Sequence, residues 1–319
     1  MESFQRQPQT YKLKFNGAGS EYFGIFIVNW LFMVLTLGLY YPWAKVNHLQ
    51  FLYGNTTLQD EPFTFQGTGK EMFKGFIKVL LLFAAIFAIA FLIISIGFPT
   101  MGIIFIYLSF IAIIPFALHG AYRYRLSRTT WRGIRMGYRG ERSQLMDIYF
   151  KGLLFTALTF GIYGAWLAID MRNYLVGNSR LGNVDFESHG KGGEYLWIII
   201  KGYLLTIITL GLYFPWWQKD MFAYYVNNIT LHKGNDSIQL QSVATGGGFF
   251  KLILANIFIL IFTLGLGYPW VVTRTMKYII GSIYMDGDID MNTISQTEES
   301  YKDATGEDLV DFFDTDLII

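Results

Sequence analysis

The sequence contains no cysteine. That excludes disulfide frameworks, thiolate nucleophiles and cysteine-ligated metals. Charge is scarce too: charged residues make up 15% of the 319 positions, where an ordinary soluble domain carries about 25%. The formal net charge is +1, so no global field draws nucleic acid. The four histidines, His48, His119, His189 and His232, are scattered without ligand spacing, and no metal site is expected of them. HExxH, G-x-S-x-G and Walker loops are all missing. "GTGKEMFKG" at 67–75 and "ATGGGFF" at 244–250 read as flexible links between a strand and a helix. No catalytic residue and no cofactor-binding residue emerges, and the chain is not expected to be an enzyme.

Apolar residues are abundant, at 53%, and they come in long runs. The runs at 23–41, 76–98, 101–118, 153–169, 195–217 and 252–272 each have about the length that crosses a bilayer as a helix. None contains Asp or Glu, which argues against proton- or ion-coupled transport. Lys78 and Lys201, near the starts of two runs, can snorkel to the headgroups. The amino-terminal stretch "MESFQRQPQTYKLKF" lacks the pattern of a signal peptide, so the first run is expected to be retained.

One ten-residue phrase recurs: "TLGLYYPWAK" at Thr36, "TFGIYGAWLA" at Thr159, "TLGLYFPWWQ" at Thr209 and "TLGLGYPWVV" at Thr263. The copies stay in register. Counted from the threonine, a glycine follows at Gly38, Gly161, Gly211 and Gly265. A tryptophan comes next at Trp43, Trp166, Trp216 and Trp270, then an aromatic at Phe51, Tyr174, Tyr224 and Tyr278. A proline precedes the tryptophan at Pro42, Pro215 and Pro269, with Ala165 in the second copy. A worn fifth copy places Ser109, Pro115, Phe116, Tyr124, Ser127 and Trp131 on the same ruler. Such a period signals a repeated supersecondary unit. The glycine lets a helix end or bend, the proline opens a new helix, and Tyr and Trp suit the headgroup layer. The threonines are expected to bond back to their own helix. The segment after the break mixes charge with aromatics and reads as a helix along the membrane surface. Short hairpins follow, with turns at Asp60-Glu61-Pro62, Gly182-Asn183, Gly234-Asn235 and Asp286-Gly287, and "YKLKF" is expected to supply an edge strand.

The expected fold is thus a polytopic α-helical membrane protein built from internal repeats of spanning helix, Gly/Pro break, interfacial helix and short β-hairpin. It would have about six hydrophobic spans that alternate across the bilayer. Residues 1–291 form one membrane domain, and 292–319 an acidic tail expected to be disordered. The end of that tail, at 309–319, either docks onto the body or serves as a short ligand for a protein partner.

"FNGAGSEYFGIFIVNWLFMVLTLGLYYPWAKV", followed by "YGNTTL" and "FTFQGTGKEMFKGF", resembles the YjgN-like family of bacterial inner-membrane proteins over roughly residues 11–290. The resemblance implies a multi-pass protein of the bacterial cytoplasmic membrane. It carries over no catalytic residue, because the family's function is uncharacterised.

Arg123, Arg125, Arg128, Arg132, Arg135, Arg139 and Arg142 crowd one segment. The positive-inside rule accounts for them by anchoring that segment in the cytoplasm. They also suit anionic lipid headgroups, nucleotides or an acidic partner, whereas RNA is not expected. Asn29 and Asn256, inside apolar runs, suit helix–helix hydrogen bonds. Function is therefore expected to be a non-enzymatic envelope, scaffold or binding role with the lipid bilayer as partner. The alternative is a transporter or channel for a small solute or lipid.

Overall fold

In a computed structural model, residues 9–297 are described. Among them, ten strands close into an antiparallel barrel: β1 (Gln9–Phe15), β2 (Thr56–Leu58), β3 (Glu61–Phe65), β4 (Thr129–Trp131), β5 (Ile134–Tyr138), β6 (Ser179–Leu181), β7 (Val184–Ser188), β8 (Ile229–Lys233), β9 (Asp236–Ser242) and β10 (Ile283–Gly287). Two-residue turns join β2 to β3, β4 to β5, β6 to β7 and β8 to β9. They use left-handed residues where the strand twist demands them, such as Gln59 (φ 51°) with Asp60 (φ 61°) and Arg132 (φ 49°) with Gly133 (φ 75°). The first turn thus falls one residue earlier than its sequence suggests, and Pro62 lies within β3, opposite Thr57. β10 has no hairpin partner of its own. It pairs with β9 and with β1, at the other end of the chain. β1 is therefore not an edge strand, because β10 and β2 flank it.

Alternation along the strands sends apolar side chains into the barrel. Tyr11, Leu58, Trp131, Leu181, Val184, Ile238 and Met285 form its core, while Lys12 and Lys14 point to solvent. The Trp131 indole N–H donates to the Leu58 carbonyl at 3.3 Å. A strap after β10 covers the turn end of the barrel. Its Ile289, Met291 and Ile294 join the core, and the Tyr11 hydroxyl donates to the Ile289 carbonyl at 3.0 Å.

From the opposite end of the barrel hang five helical hairpins: α1 (Gly19–Leu35) with α2 (Tyr41–Gly54), α3 (Gly69–Ser95) with α4 (Pro99–Ser127), α5 (Arg142–Leu158) with α6 (Gly164–Gly177), α7 (Gly192–Ile208) with α8 (Phe214–Asn227), and α9 (Gly246–Phe262) with α10 (Tyr268–Gly281). Each helix packs on its chain neighbours, and α10 packs on α1, so the helices form a closed ring under the barrel.

This architecture overturns the expectation of about six spans. Among the described residues, only α3 and α4 are long and apolar enough to cross a membrane. The other apolar runs each contain the later part of a 17-residue helix, a reversing turn and the start of the return helix. The return helix comes back along its partner instead of leaving it. Tyr22 meets His48 at 2.5 Å, Asn29 accepts from Asn47 at 2.9 Å, and Phe32 lies against Tyr40 with centroids 5.0 Å apart. Hairpins of one closed barrel must share one face, which rules out strict alternation. The worn copy differs as well. Pro115 lies inside α4, and the chain reverses earlier, at Gly97 (φ 99°), so the run at 76–98 belongs to the first arm of that same hairpin.

Candidate functional site

The tips of four hairpins share one construction. Thr36, Thr159, Thr209 and Thr263 end α1, α5, α7 and α9. Each hydroxyl donates to the carbonyl four residues back, that of Phe32, Phe155, Leu205 or Ile259, at 2.6, 2.7, 2.7 and 2.6 Å. The same oxygen accepts from the N–H four residues ahead, that of Tyr40, Tyr163, Tyr213 or Gly267, at 3.0, 2.9, 2.9 and 2.7 Å. One side chain thus ties the last turn of one helix, whose carbonyl also accepts the threonine's own N–H, to an N–H at the start of the next. Next come two left-handed residues, and they reverse the chain. Gly38, Gly161, Gly211 and Gly265 take φ of 90°, 95°, 94° and 88°, which suits glycine. Before them, Leu37, Phe160, Leu210 and Leu264 hold φ of 50–52°, a conformation costing about 1–2 kcal/mol for a side chain of this kind. These strained residues are 94%, 99%, 94% and 93% exposed.

The return helices open with Pro42, Pro215 and Pro269 in their first turn, where a missing N–H costs nothing. Trp43, Trp166, Trp216 and Trp270 follow. Each indole lies over the glycine that opens the next first arm: Gly69, Gly192, Gly246 and Gly19. At the barrel end, Asn55, Asn178, Asn228 and Ser282 donate to the carbonyls of Phe51, Tyr174, Tyr224 and Tyr278 at 2.9, 2.7, 2.8 and 2.7 Å. In three units the tyrosine hydroxyl also donates to the residue that starts its own first arm, namely Glu141, Lys191 and Thr245, at 2.9, 2.8 and 3.1 Å. The phrase repeated in the sequence is thus a set of turn, cap and packing parts.

Charge is confined to the barrel side of these tips. No Asp, Glu, Lys or Arg occurs within 22–44, 79–122, 152–169, 202–218 or 252–273, and every hairpin turn lies inside one of those stretches.

The arginines do not converge. Arg123 and Arg125 lie on the last turns of α4, and Arg128 caps it with its Nε 3.3 Å from Glu71. Arg132 sits at the far end of the barrel, in the β4–β5 turn, stacked 4.5 Å over Trp131 and donating to Asn292 at 3.0 Å. Arg135 is on β5, where its N–H donates to Gln296 at 2.8 Å. Arg139 and Arg142 return to the helix end, the latter 5.8 Å over Phe116. The first residues of the acidic tail therefore touch the arginine segment, while the docking expected of 309–319 lies outside the described residues.

Two groupings were invisible in the sequence. Glu187, His189 and His232 bring ligand atoms within 4.8 Å of one another on the outer wall of β7 and β8. They could hold a cation, although ion pairing of His232 with Glu187 at 3.1 Å accounts for the arrangement by itself. The pairing of Asp185 with His232 creates this group, and sequence spacing carries no trace of it. Arg172 on α6 is held by the Tyr225 carbonyl at 3.1 Å and by the Tyr225 ring at 4.4 Å. Tyr195 and Tyr225, whose hydroxyls are 2.6 Å apart, lie beside it.

The chain matches the model of a family described as bacterial protein of unknown function (DUF898) over residues 10–190, 184–235 and 217–312. It is 38% identical over 128 residues to inner membrane protein YjgN of Salmonella typhimurium. It is 31% identical over 130 residues to the protein of that name from Escherichia coli K12. Each match covers 40% of this chain and 31% of the relative, so it spans about a third of the relatives' own length. No solved structure matches.

Proposed function

This chain belongs to the YjgN-like family of bacterial proteins of unknown function, and from that premise we propose that it is an inner-membrane protein entering the bilayer from one face. The barrel stands at that face. The observation carrying this reading is the set of four tips, Leu37, Phe160, Leu210 and Leu264, nearly wholly exposed in charge-free surroundings. In water such tips are a liability, whereas in hydrocarbon each leucine gains about 1.5–3 kcal/mol.

Helix lengths limit how deep each hairpin reaches. The charge-free stretch of α5 and its tip, from Gly152 to Phe160, measures at most about 12 Å at 1.5 Å per residue, and that of α1 and its tip, from Tyr22 to Leu37, about 22 Å. Neither crosses a hydrocarbon core of about 30 Å. α4 is charge-free from Pro99 to Tyr122, about 35 Å. We therefore read α3–α4 as the hairpin that reaches through and the other four as re-entrant. Their backbone groups at the tips are bonded within the turn and to the threonine hydroxyls, which supports irregular backbone at depth. Lys and Arg lie on the barrel side of the α3–α4 turn, which supports a cytoplasmic barrel. Within that setting we infer a scaffold or binding role instead of catalysis, since the recurring side chains serve turns, caps and packing.

The chain's freedom from cysteine allows a direct test. A fluorophore is attached in phosphatidylcholine vesicles through Leu37→Cys, Leu210→Cys or, as a control in the β8–β9 turn, Asn235→Cys. At positions 37 and 210 it is expected to be quenched by nitroxide-labelled lipid and shielded from iodide, with the reverse at 235. Iodide quenching at 37 and 210 equal to that at 235 would sink the proposal.

A further inference from the structure

The barrel interior holds a cavity of about 210 Å³ lined by apolar side chains alone. Its existence follows from strand number. Eight strands enclose a space that side chains just fill or that holds one small ligand, and ten enclose more. Apart from Phe63 and Phe186, this lining is Leu, Ile, Val and Met, which cannot make up the difference. An apolar cavity of about 150 Å³ already takes up benzene.

The two ends of the cavity differ. Toward the turns, Val184, Ile238, Ile289 and Met291 are buried to 3% exposure or less, and the strap shuts that end. Toward the helices, Leu13, Phe63, Met136, Phe186, Ile229 and Leu240 are only half-buried. Still nearer the helices, Phe15, Phe65 and Tyr138 are buried against helix side chains, whereas Ile229, Leu240 and Ile283 stay half-buried, so the cavity meets the helical ring on the side of β7–β10; that ring is the part of the molecule that meets the bilayer in the proposed function. It offers no hydrogen-bond donor, acceptor or charge to fix a polar ligand. Whatever enters must be hydrocarbon at its leading end, with any polar group left outside.

We propose that the barrel is a binding site for the end of a membrane lipid's acyl chain, admitted through the helical ring. This rests on the membrane reading above, but separate observations carry it: the closed end, the open end and the wholly apolar wall. The barrel would then hold a lipid by its tail.

The test reconstitutes the full chain into vesicles of phosphatidylcholine bearing a photoreactive diazirine at the end of one acyl chain. Cross-linked peptides are mapped by mass spectrometry. Cross-links to barrel strands, at Met136 or Met285, are expected beside those on the outer helix faces. Leu240→Trp, which fills the open end, is expected to abolish the barrel cross-links and spare those on α3 and α4, whose persistence reports a folded, inserted protein. Cross-links on the helices with none on the strands would overturn the acyl-chain site while leaving the membrane reading intact. Cross-links on neither would overturn both. Barrel cross-links that persist unchanged in Leu240→Trp would show entry by another route and overturn the admission path proposed.

Discussion

Alanine at Gly19 and alanine at Gly24 are five residues apart on one helix and should move stability in opposite directions. Gly24 lies inside α1, and nothing stands within 4 Å of the place its β-carbon would occupy. Removing its backbone freedom should stabilise the helix by about 0.5–1 kcal/mol. Gly19 opens the same helix under the Trp270 indole, where a β-carbon would come 2.4 Å from the ring. Carbon contacts settle at about 3.5–4.0 Å, so the indole must retreat by more than 1 Å. Overpacking of this kind costs about 1–3 kcal/mol. Trp270 is 39% exposed and has some room to yield, which puts Gly19→Ala in the lower half of that range. At about 2–4 °C per kcal/mol for chains somewhat smaller than this one, the apparent melting temperature in detergent should fall by a few degrees for Gly19→Ala and rise slightly for Gly24→Ala. Trp270→Phe should remove most of the penalty of Gly19→Ala. Intrinsic fluorescence of the four proteins during heating completes a double-mutant cycle. If the effects of Gly19→Ala and Trp270→Phe simply add within about 0.5 kcal/mol, the indole is not what the glycine accommodates, and the argument fails at all four such glycines.

Thr209→Val strips the α7–α8 turn of the two hydrogen bonds that the hydroxyl makes and should lower the melting temperature by the equivalent of about 1–3 kcal/mol, whereas Thr209→Ser should be near neutral. Ile289→Ala, at a strap residue 1% exposed, should destabilise by about 2–5 kcal/mol; a loss below 1 kcal/mol in denaturant titration would mean the strap is not part of the barrel core. Tyr138 is buried, and burial raises its hydroxyl above the ordinary value of 10. A raised folded-state pKa means that only the unfolded chain loses this proton just above pH 10, so stability falls as pH climbs from there. Tyr138→Phe should flatten that alkaline decline in a melting-temperature profile, and an unchanged slope would exclude Tyr138 as its source.

Local geometry was largely legible in the sequence. The Gly182-Asn183 and Gly234-Asn235 turns lie where left-handed backbone was needed, and the four threonines mark the places where one helix stops and another starts. Direction was not legible. A hydropathy run measures how much apolar chain there is, not whether the chain continues or doubles back. The run at 195–217 therefore looked like a span, although it holds most of α7, its turn and the first residues of α8. Barrel closure left no local trace either. β2, β4 and β6 are three residues long, too short for alternation to say which neighbour they would find. The Glu187, His189 and His232 group and the surroundings of Arg172 stayed hidden because their members meet only through packing of separate units.

The pairing of β1 with β10 has a consequence for how the protein is made. Thr10 and Asp286 are 276 positions apart, whereas every other strand pair joins strands consecutive in the chain. Closing a loop of that size costs about 5 kcal/mol in chain entropy, from (3/2)RT ln n. β1 is synthesised first, yet one of its edges has no partner until the last helical hairpin has emerged. Through most of translation the sheet is an open ribbon with an unpaired strand at each border, the condition that invites pairing with the wrong chain. A chain cut before Ile283 has the residues of all five helical hairpins but lacks the strand that closes the barrel on β1. The barrel can close on β1 only after all five helical hairpins have been made.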